Sequence, residues 1–429
     1  MTEPRDPIVI ARDLASLRRH QRAALRHLLR EVLASNPFYR AKLAGLDLDP
    51  ERLELEDLPS LPYTAKTELA ADQESSPPFG TNLTYPLERY VRLHLTSGTS
   101  GAQLRWLDTA ESWSAFLDSW SLVLRAIDLS PADRVLVAFS FGPFIGFWGA
   151  FEAAQRLGAL TLTGGALTSE QRLEHMLDHG VTVLVCTPTY ALRLAEVARR
   201  RGIDLRRSAV RATLHAGEPG ASVPAVKARL EEAWGAPCFD HAGATELGAW
   251  GYPGPDLRMF IHEQRFLAEL IDPETGALLS PGEEGARGEL VLTSFSRLGS
   301  PLLRYRTGDL VHLVPGTDAD PRTFLQGGVL GRVDDMFVVR GVNVYPSAVE
   351  NVVRSVPGIE EFQATVTGLD GMAELALEIE TAAGAGDDPA RALVHALRDR
   401  FHLRVAVRVV EPGSLPRYEL KAKRFRFLG

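Results

Sequence analysis

Apolar and polar residues follow two different periods along the chain, and these periods predict an α/β protein. Residues 12–34 carry Leu and Val at helical spacing with Arg and His between them, which predicts an N-terminal helix. Short apolar runs then alternate with helical patterns, which is typical of parallel strands joined by helices. The predicted strands are 134–139, 159–162, 181–186 and 210–215, and the predicted helices are 148–157, 169–179 and 190–201.

The pattern changes twice after residue 260. Short strands around turn-forming residues, as in LAELIDPETGALL and GELVLTSF, predict a small antiparallel, barrel-like subdomain. Beyond GRVDD at 331–335, the order helix, strand, strand, helix, strand over 346–410 predicts an α+β domain, with a Gly-rich acidic loop at 383–389. We therefore predict a large N-terminal domain over residues 1–333 and a small C-terminal domain over residues 334–429.

Composition and charge exclude several classes of protein. The 429 residues are 45% hydrophobic, which excludes a mainly disordered chain. A net charge of -8 argues against a nucleic-acid surface, and two cysteines exclude a disulfide framework. The first 30 residues contain no apolar signal segment, and no run of 18 apolar residues occurs. We expect a cytoplasmic protein with no membrane span and no nucleic-acid partner.

The strongest single motif is LTSGTSG at 95–101, directly after the strand-like YVRLHL. Small hydroxyl residues and glycines let backbone N–H groups surround phosphate oxygens. The loop is not a Walker A loop, because GxxxxGK[ST] is absent. Taken alone, it is equally compatible with a simple Ser/Gly turn.

Four further motifs carry candidate chemistry, and three of them have a plainer alternative. HAGEP at 215–219 follows a predicted strand. In DHAGATE at 240–246, a Thr-Glu pair can offer a hydroxyl to a phosphate and a carboxylate to Mg²⁺, or simply begin a helix. In YRTGDL at 305–310, Asp309 can accept both hydroxyls of a ribose, or the segment is a hairpin turn. LPRYELKAKR at 415–424 contains two of the five lysines of the chain. Such a lysine can supply a positive charge to a phosphate, or the segment is a solvated basic tail.

These motifs, together with GRVDDMFVVRGVNVYPSAVE at 331–350, resemble in order and spacing the adenylate-forming enzymes. That superfamily includes acyl-CoA synthetases, peptide-synthetase adenylation domains and luciferases. The short N-terminal part and the phrases FQATVT, RGVNVYP and LPRYELKAKR are most similar to the phenylacetate–CoA ligase branch. The resemblance implies a large adenylating domain, a hinge and a small mobile domain that turns between two half-reactions.

The resemblance also implies roles for individual residues. Lys421 would assist adenylate formation, Thr245 would meet the α-phosphate, Glu246 would bind Mg²⁺, and Asp334 would be the hinge. The remaining residues of the expected ATP site are Thr96, Ser97, Gly98, Thr99, Ser100 and Gly101 at the phosphates, Gly217, Glu218, Pro219, Asp240, His241 and Ala242 along the nucleotide, and Asp309 and Arg332 at the ribose.

The sequence departs from the family pattern at three points. Ala242 stands where an aromatic residue usually stacks on adenine, and Leu420 replaces the Gly before the catalytic lysine. Lys423 lies two residues after Lys421, but the gap-free alignment of LPRYELKAKR favours Lys421. The phosphate loop lacks a Lys, which is itself a feature of the phenylacetate branch.

An aromatic cluster follows a predicted strand end, where α/β sheets place ligands. Its glycines leave room for a flat ring, so we predict an aryl-acid pocket, although such a cluster can also be plain core. The expected pocket residues are Phe139, Phe141, Gly142, Phe144, Tyr190, His215, Ala216 and Gly243. Cys238, His241 and His262 lack a fourth partner for structural zinc, so a buried Cys and an active-site His are the favoured interpretation.

The sequence therefore predicts an AMP-forming acid–thiol ligase that uses ATP and Mg²⁺ to activate an aromatic carboxylic acid and transfers the acyl group to coenzyme A. One alternative keeps the adenylation and passes the acyl group to a separate acyl carrier protein or an amine. Another is a catalytically silent nucleotide-binding relative, against which the intact Thr245, Glu246, Asp309, Arg332 and Lys421 argue. A homodimer is common for this resemblance.

Overall fold

A computed structural model describes residues 13–96, 103–139, 142–340, 342–368, 373–382, 388–418 and 422–428. The chain forms two compact units, and each combines two stretches of sequence. The first unit contains Met1–Gly165 and His241–Gly328, and the second contains Ala166–Asp240 and Val329–Gly429. The units are discontinuous in sequence, and the predicted consecutive domains 1–333 and 334–429 stay a prediction.

The first stretch of the first unit opens with helices and continues with two pairs of strands. Strands β1 and β2 pair antiparallel, whereas β3 and β4 pair parallel with helix α5 between them, as the sequence pattern predicts. The elements are α1 (Leu14–Ser35), α2 (Pro37–Lys42), α3 (Lys66–Ser75), β1 (Tyr90–Leu95), β2 (Arg105–Thr109), α4 (Ala110–Arg125), β3 (Arg134–Val137), α5 (Ile145–Arg156) and β4 (Leu160–Thr163).

Helix α1 confirms the predicted N-terminal helix. It begins after Asp13, whose carboxylate accepts the Ser16 N–H at 2.7 Å and caps the helix. It ends at Asn36, whose side chain accepts the Tyr39 N–H at 3.0 Å and caps α2. The apolar face predicted from the spacing is buried, and Leu25, Leu28, Leu29 and Val32 pack into one cluster with Tyr39, Leu58 and Leu303.

The first stretch of the second unit alternates helices and strands as predicted. Strands β5, β6 and β7 are parallel neighbours. Because the carboxyl ends of parallel strands meet at one edge, Cys186 and His215 lie side by side. The elements are α6 (Ser169–Asp178), β5 (Val183–Cys186), α7 (Pro188–Arg200), β6 (Ala212–His215), α8 (Pro224–Trp234) and β7 (Cys238–Asp240).

The second stretch of the first unit is antiparallel, as predicted, but it begins at Ala242 and not after residue 260. The strands form one eight-stranded sheet in the order β12-β11-β13-β14-β15-β10-β9-β8. Their bounds are β8 (Ala242–Ala244), β9 (Gly248–Pro253), β10 (Arg258–Ile261), β11 (Phe266–Ile271), β12 (Leu278–Leu279), β13 (Ala286–Ser294), β14 (Tyr305–Val314) and β15 (Phe324–Arg332), the last of which continues into the second unit.

The C-terminal stretch of the second unit confirms the predicted order over 346–410. Its sheet has the strand order β20-β19-β18-β21, and helices α9 and α10 contribute to the same apolar core. Residues 383–387 of the predicted loop lie outside the described part, and α10 begins at Asp388. The elements are β16 (Phe337–Val339), β17 (Val342–Val344), α9 (Pro346–Ser355), β18 (Ile359–Thr367), β19 (Glu374–Thr381), α10 (Asp388–Phe401), β20 (Ala406–Val409) and β21 (Phe425–Leu428).

Candidate active site

A buried ion pair in the first unit holds the turn that carries Thr245 and Glu246. Two nitrogens of Arg297 donate to the two carboxylate oxygens of Asp108 at 2.9 and 2.6 Å, and both side chains are almost fully buried. The third nitrogen of the same guanidinium donates to the carbonyls of Thr245 and Glu246 at 2.6 and 3.0 Å. The Thr-Glu pair therefore lies in a tightly held turn between β8 and β9, not at the start of a helix.

The Glu246 side chain is itself buried and has two partners. Lys66 Nζ lies 3.1 Å from Glu246 Oε1, and the Tyr305 hydroxyl donates to the same oxygen at 3.3 Å. Within the described ranges, no side chain donates a hydrogen bond to the second oxygen, Oε2, or forms an ion pair with it. A carboxylate oxygen is the kind of hard ligand that Mg²⁺ takes, so Glu246 fits the expected ion.

Arg304 organises the segment that leads to Lys66. Its guanidinium binds both oxygens of Glu269 at 3.0 and 2.8 Å, and its carbonyl accepts the Thr64 N–H at 2.9 Å. Because α3 begins two residues after Thr64, this contact brings Lys66 to Glu246. Sequence reasoning did not assign Lys66 a role; its rarity as one of five lysines was the available signal.

YRTGDL lies inside strand β14 and is not a hairpin turn. The Thr307 hydroxyl donates to the Leu290 carbonyl at 2.7 Å and accepts the Asp309 N–H at 3.0 Å. Gly308 has a φ of +72°, and β13 and β14 change register at this point. A glycine takes that backbone geometry without the steric cost of a Cβ. The resulting bulge fixes the position of the next residue, Asp309.

The predicted phosphate loop is tied together at its base. Thr96 is buried, its N–H donates to the Leu104 carbonyl at 3.0 Å, and its hydroxyl accepts the Leu104 N–H at 2.9 Å. Residues 97–102 lie outside the described residues. Thr96 therefore has a structural role at the loop's entry, and its contact with phosphate stays a prediction.

In the second unit, both ring nitrogens of His215 have protein partners. Nδ1 lies 3.1 Å from the Cys186 carbonyl and Nε2 lies 3.0 Å from the Thr213 hydroxyl. The ring is fully buried, and burial lowers the pKa of His215 to about 4, so it is neutral at pH 7. Burial also raises the pKa of the neighbouring Cys186 thiol well above its usual range, which keeps that thiol protonated.

Glu218 binds two backbone N–H groups of the second unit. Its two oxygens accept the Thr189 N–H and the Ala422 N–H, each at 2.9 Å. Tyr190, the next residue of α7, is buried and its hydroxyl lies 3.2 Å from that of Ser169. The Glu218 carboxylate thus links the N-terminus of α7 to the chain near the C-terminus.

Two other predicted nucleotide residues of the second unit have local partners. Asp240 Oδ2 accepts the Ser222 N–H at 3.0 Å and also the Ser222 hydroxyl. Arg332 Nε lies 3.1 Å from Asp334 Oδ1, so the expected ribose contact and the expected hinge residue are paired with each other.

The aromatic cluster after β3 is partly core. Phe139 is buried and stacks on Phe147, with ring centroids 3.5 Å apart. The Trp148 indole N–H donates to the Gly142 carbonyl at 3.1 Å. At Gly142 an added Cβ would meet nothing closer than a Phe144 ring carbon at 4.0 Å, so there is space beside the cluster.

His241 packs against an aromatic ring of the first unit. Its ring centroid lies 4.2 Å from that of Trp120, and its Nδ1 lies 2.7 Å from the Gly251 carbonyl. A carbonyl only accepts, so Nδ1 carries the proton and Nε2 is an acceptor. Burial lowers the pKa of His241 to about 4, and the ring is therefore neutral at pH 7.

The predicted site residues divide between the two units. Those in the first unit are Thr96, Phe139, Gly142, Phe144, His241, Ala242, Gly243, Thr245, Glu246 and Asp309. Those in the second are Tyr190, His215, Ala216, Gly217, Glu218, Pro219, Asp240, Arg332 and Asp334. Ser97, Gly98, Thr99, Ser100, Gly101, Phe141 and Lys421 lie outside the described part of the chain.

Across the residues that the structure describes, no group of three or more His, Cys, Asp and Glu side chains is arranged to hold a metal ion. Cys238 and His262 are each buried. Both ring nitrogens of His262 lack a hydrogen-bond partner among these residues.

Comparison of the sequence with known proteins shows the family of this chain. The chain is 31% identical to phenylacetate-coenzyme A ligase of Thermus thermophilus, over 94% of this chain and 94% of that protein. It is 30% identical to the Escherichia coli phenylacetate-coenzyme A ligase, over 98% of this chain and 96% of that protein. The chain belongs to the phenylacetate–CoA ligase family.

Two further matches agree with this membership. Residues 341–426 of this phenylacetate–CoA ligase family member match the family model of the AMP-binding enzyme C-terminal domain. Its structure is similar to that of 2-hydroxyisobutyryl-CoA ligase in the postadenylation state in complex with 2-HIB-AMP, with a TM-score of 0.90 at 27% identity. The match covers 100% of this chain and 94% of that chain.

Proposed function

We propose that this family member is an AMP-forming acid–thiol ligase that joins an aromatic carboxylic acid to coenzyme A. The observation that carries the proposal is its similarity, over nearly the whole chain, to phenylacetate-coenzyme A ligases. The Thr245–Glu246 turn also supports the proposal, because it carries the residues expected at the α-phosphate and at Mg²⁺. The buried Arg297–Asp108 pair holds this turn in place.

The reaction has two steps. In the first, a carboxylate oxygen of the acid bonds to the α-phosphorus of ATP while the bond to the β-phosphate oxygen breaks, giving acyl-adenylate and pyrophosphate. In the second, the coenzyme A thiol loses its proton and its sulfur bonds to the acyl carbon, and AMP leaves. Charge develops on phosphate oxygens in the first step, so the protein accelerates it mainly by positioning and electrostatic stabilisation.

The resemblance assigns the residues to these steps. In the first unit, Thr245 would bind the α-phosphate, Asp309 the ribose, and Glu246 would be the Mg²⁺ ligand. Mg²⁺ bound at Glu246 would supply positive charge beside the phosphates. In the second unit, Lys421 would supply a second positive charge during adenylation, and Asp334 would be the hinge of residues 334–429.

Partners and location follow from the same proposal. The small-molecule partners are the acid, ATP and coenzyme A, and a homodimer and a separate acyl carrier protein stay predictions. None of the helices in the described ranges has the length and apolar character needed to cross a bilayer. We propose that the enzyme works in the cytoplasm, where coenzyme A and ATP are available, without a nucleic-acid partner.

Measuring pyrophosphate release separates this function from its alternatives. The full-length protein is incubated with ATP, Mg²⁺ and benzoate, anthranilate, phenylacetate, acetate or octanoate, with and without coenzyme A, and the products are identified by mass. We expect acid-dependent pyrophosphate release and an acyl-CoA product with an aryl acid. Release of pyrophosphate without any acyl-CoA would favour a carrier-protein or amine acceptor. No release with any acid would contradict the adenylation itself.

A further inference from the structure

Glu218 makes contacts that neither the motif nor the reaction chemistry explains. Its loop follows β6, yet its carboxylate bridges two backbone groups that are distant in sequence. Oε1 accepts the N–H of Thr189, in the first turn of α7, and Oε2 accepts the N–H of Ala422, each at 2.9 Å. The side chain is partly buried, and both oxygens are used by backbone donors of the same unit.

Thr189 and Ala422 are also joined through Arg424. The Arg424 guanidinium is buried and donates to the Thr189 hydroxyl at 3.2 Å. It also donates to both oxygens of Glu361 at 2.7 and 3.1 Å and to Glu350 at 3.1 Å. The chain just after Ala422 is therefore fixed to the body of the second unit by a charged network.

Two further hydrogen bonds involve described residues on either side of 419–421. The Tyr418 hydroxyl donates to the Lys423 carbonyl at 2.7 Å, which ties position 418 to position 423. Gln363 on β18 donates to the Arg424 carbonyl at 3.2 Å. Residues 419–421 lie outside the described part, but both described flanks of this short segment are anchored.

We propose that Glu218 is a positioning residue for adenylation, acting through the backbone of Ala422 and not through contact with the nucleotide. Ala422 directly follows Lys421, the residue to which the proposed function gives the charge needed in the first half-reaction. The inference rests on that function. A hydrogen bond from the Ala422 N–H to a carboxylate restricts the main chain next to Lys421.

The chemistry of a carboxylate explains why Glu stands at this position. Two N–H donors converge on the Glu218 side chain, and a carboxylate accepts a hydrogen bond at each of its two oxygens. A glutamine amide has one oxygen, and its NH₂ group would face the second N–H donor. Thr189 lies at a helix N-terminus, where the unpaired N–H groups favour an anion. Substitution by Gln therefore removes one charge-assisted bond at nearly constant volume.

The test uses the full chain and compares Glu218→Gln with Glu231→Gln. Glu231 is a matched control, because it lies in the same unit and its carboxylate accepts a backbone N–H, that of Cys238, at 3.1 Å. Adenylation is measured by acid-dependent ATP–pyrophosphate exchange. Thioester formation is measured separately from chemically prepared acyl-adenylate and coenzyme A. Hydrogen exchange by mass spectrometry follows the amides of a peptide spanning 418–424.

We expect Glu218→Gln to lower kcat of exchange by about tenfold to a hundredfold, the usual effect of losing one hydrogen bond to a charged group. The KM for ATP and the thioester step should stay within about twofold, and amide protection in 418–424 should fall. Glu231→Gln should change none of these values. Rescue by Glu218→Asp is not expected, because the shorter side chain does not span both donors.

Three results would overturn the proposal. A raised KM for ATP at unchanged kcat would show that Glu218 contacts the nucleotide. Equal loss of both half-reactions would show that Glu218 has a purely structural role. An unchanged rate of exchange would show that Glu218 has no role in adenylation. A wild-type protein without acid-dependent exchange would contradict the proposed function instead, and amide protection would then still decide whether Glu218 holds this segment.

Discussion

Lys66 Nζ lies 3.1 Å from Glu246 Oε1, in a pair where Glu246 is 6% exposed and Lys66 is 37% exposed. The two residues are 180 positions apart, and both belong to the first unit. Removing a carboxylate from water is costly unless a partner compensates its charge. Lys66 supplies that compensation, and the Tyr305 hydroxyl adds a hydrogen bond to the same oxygen. These two contacts therefore hold the candidate Mg²⁺ ligand in a fixed orientation.

The first prediction tests this pair. Among the described residues, Lys66→Met leaves Glu246 with the Tyr305 hydroxyl as its side-chain partner, so we expect the free energy of unfolding to fall by about 1–3 kcal/mol. The rate of acid-dependent pyrophosphate exchange should fall by about tenfold or more, because an unanchored carboxylate no longer orients the ion. Urea denaturation and the exchange assay measure the two effects.

The matched control is Lys42→Met. Lys42 is also paired with a glutamate of the first unit, Glu68, whose side chain is 43% exposed where that of Glu246 is 6% exposed. Because water solvates the Glu68 carboxylate, the loss of this pair should cost about 0–1 kcal/mol, and the variant should keep its exchange rate. Equal effects of the two substitutions would show that Lys66 has no special relation to the active site.

The second prediction distinguishes the two C-terminal lysines. If Lys421 stabilises the charge that develops during adenylation, Lys421→Ala should lower the exchange rate by about 10²–10³, while thioester formation from prepared acyl-adenylate is nearly unchanged. Lys423→Ala should leave both steps near the wild-type rate. A loss found only in Lys423→Ala would reverse the assignment, and an equal loss of both steps in Lys421→Ala would contradict separate half-reactions.

The pattern of apolar residues predicted helix α1 and the strands from β3 to β6. Helix α1 was predicted because its apolar residues recur at helical spacing, and the strands because short apolar runs alternate with helical patterns. Strand β9 was missed because its sequence, GAWGYP, contains two glycines and a proline, residues that are depleted in strands. Strand β21 was not predicted, since three of its four residues are exposed.

Motifs predicted the family, which the comparisons confirm, and they named candidate site residues whose roles stay predictions. They did not predict the contacts that hold these residues. Nothing local to Arg297 and Asp108 indicates that they pair across 189 positions beneath the Thr245–Glu246 turn. The same holds for Lys66 at Glu246, because long-range ion pairs depend on tertiary packing and leave no periodic trace in the sequence. The Ala422 contact of Glu218 is missed for the same reason, although the HAGEP motif itself was identified.

The third prediction concerns acid stability and His262. Burial, with smaller contributions from Arg265 and His20, lowers the pKa of His262 to about 3. The unfolded chain takes up a proton at this position near its ordinary pKa of about 6.5, whereas the folded protein does not until about pH 3. The unfolded state therefore binds more protons as the pH falls below about 6.5, and stability is lost in that window.

His262→Phe should remove this part of the acid sensitivity. Relative to about pH 7.5, the wild-type protein at about pH 4.5 should lose about 2–3 kcal/mol more unfolding free energy than the variant. Urea denaturation at both pH values measures this difference. His395→Phe, at an exposed position of α10, is the control and should follow the wild type. Parallel pH profiles of His262→Phe and wild type would contradict the prediction.

The last prediction concerns the acid. If the predicted aryl pocket lies beside the cluster after β3, it should favour a ring over a straight chain, since each added contact contributes about 1–3 kcal/mol of discrimination. We expect benzoate-, anthranilate- or phenylacetate-like acids to exceed acetate and octanoate by at least about tenfold in kcat/KM. Gly142→Leu should abolish that preference at unchanged KM for ATP, because its side chain projects into the space beside Phe144 without a backbone clash.

The control for this substitution is Gly282→Leu. An added Cβ at Gly282 also meets nothing within 4 Å. Gly282 lies on the loop between β12 and β13, so Gly282→Leu makes the same substitution as Gly142→Leu at a position outside the predicted pocket. Gly282→Leu should keep the preference for aryl acids. If a medium-chain fatty acid is the best substrate of the wild type, the aromatic residues after β3 serve only the core, as the burial of Phe139 against Phe147 already allows.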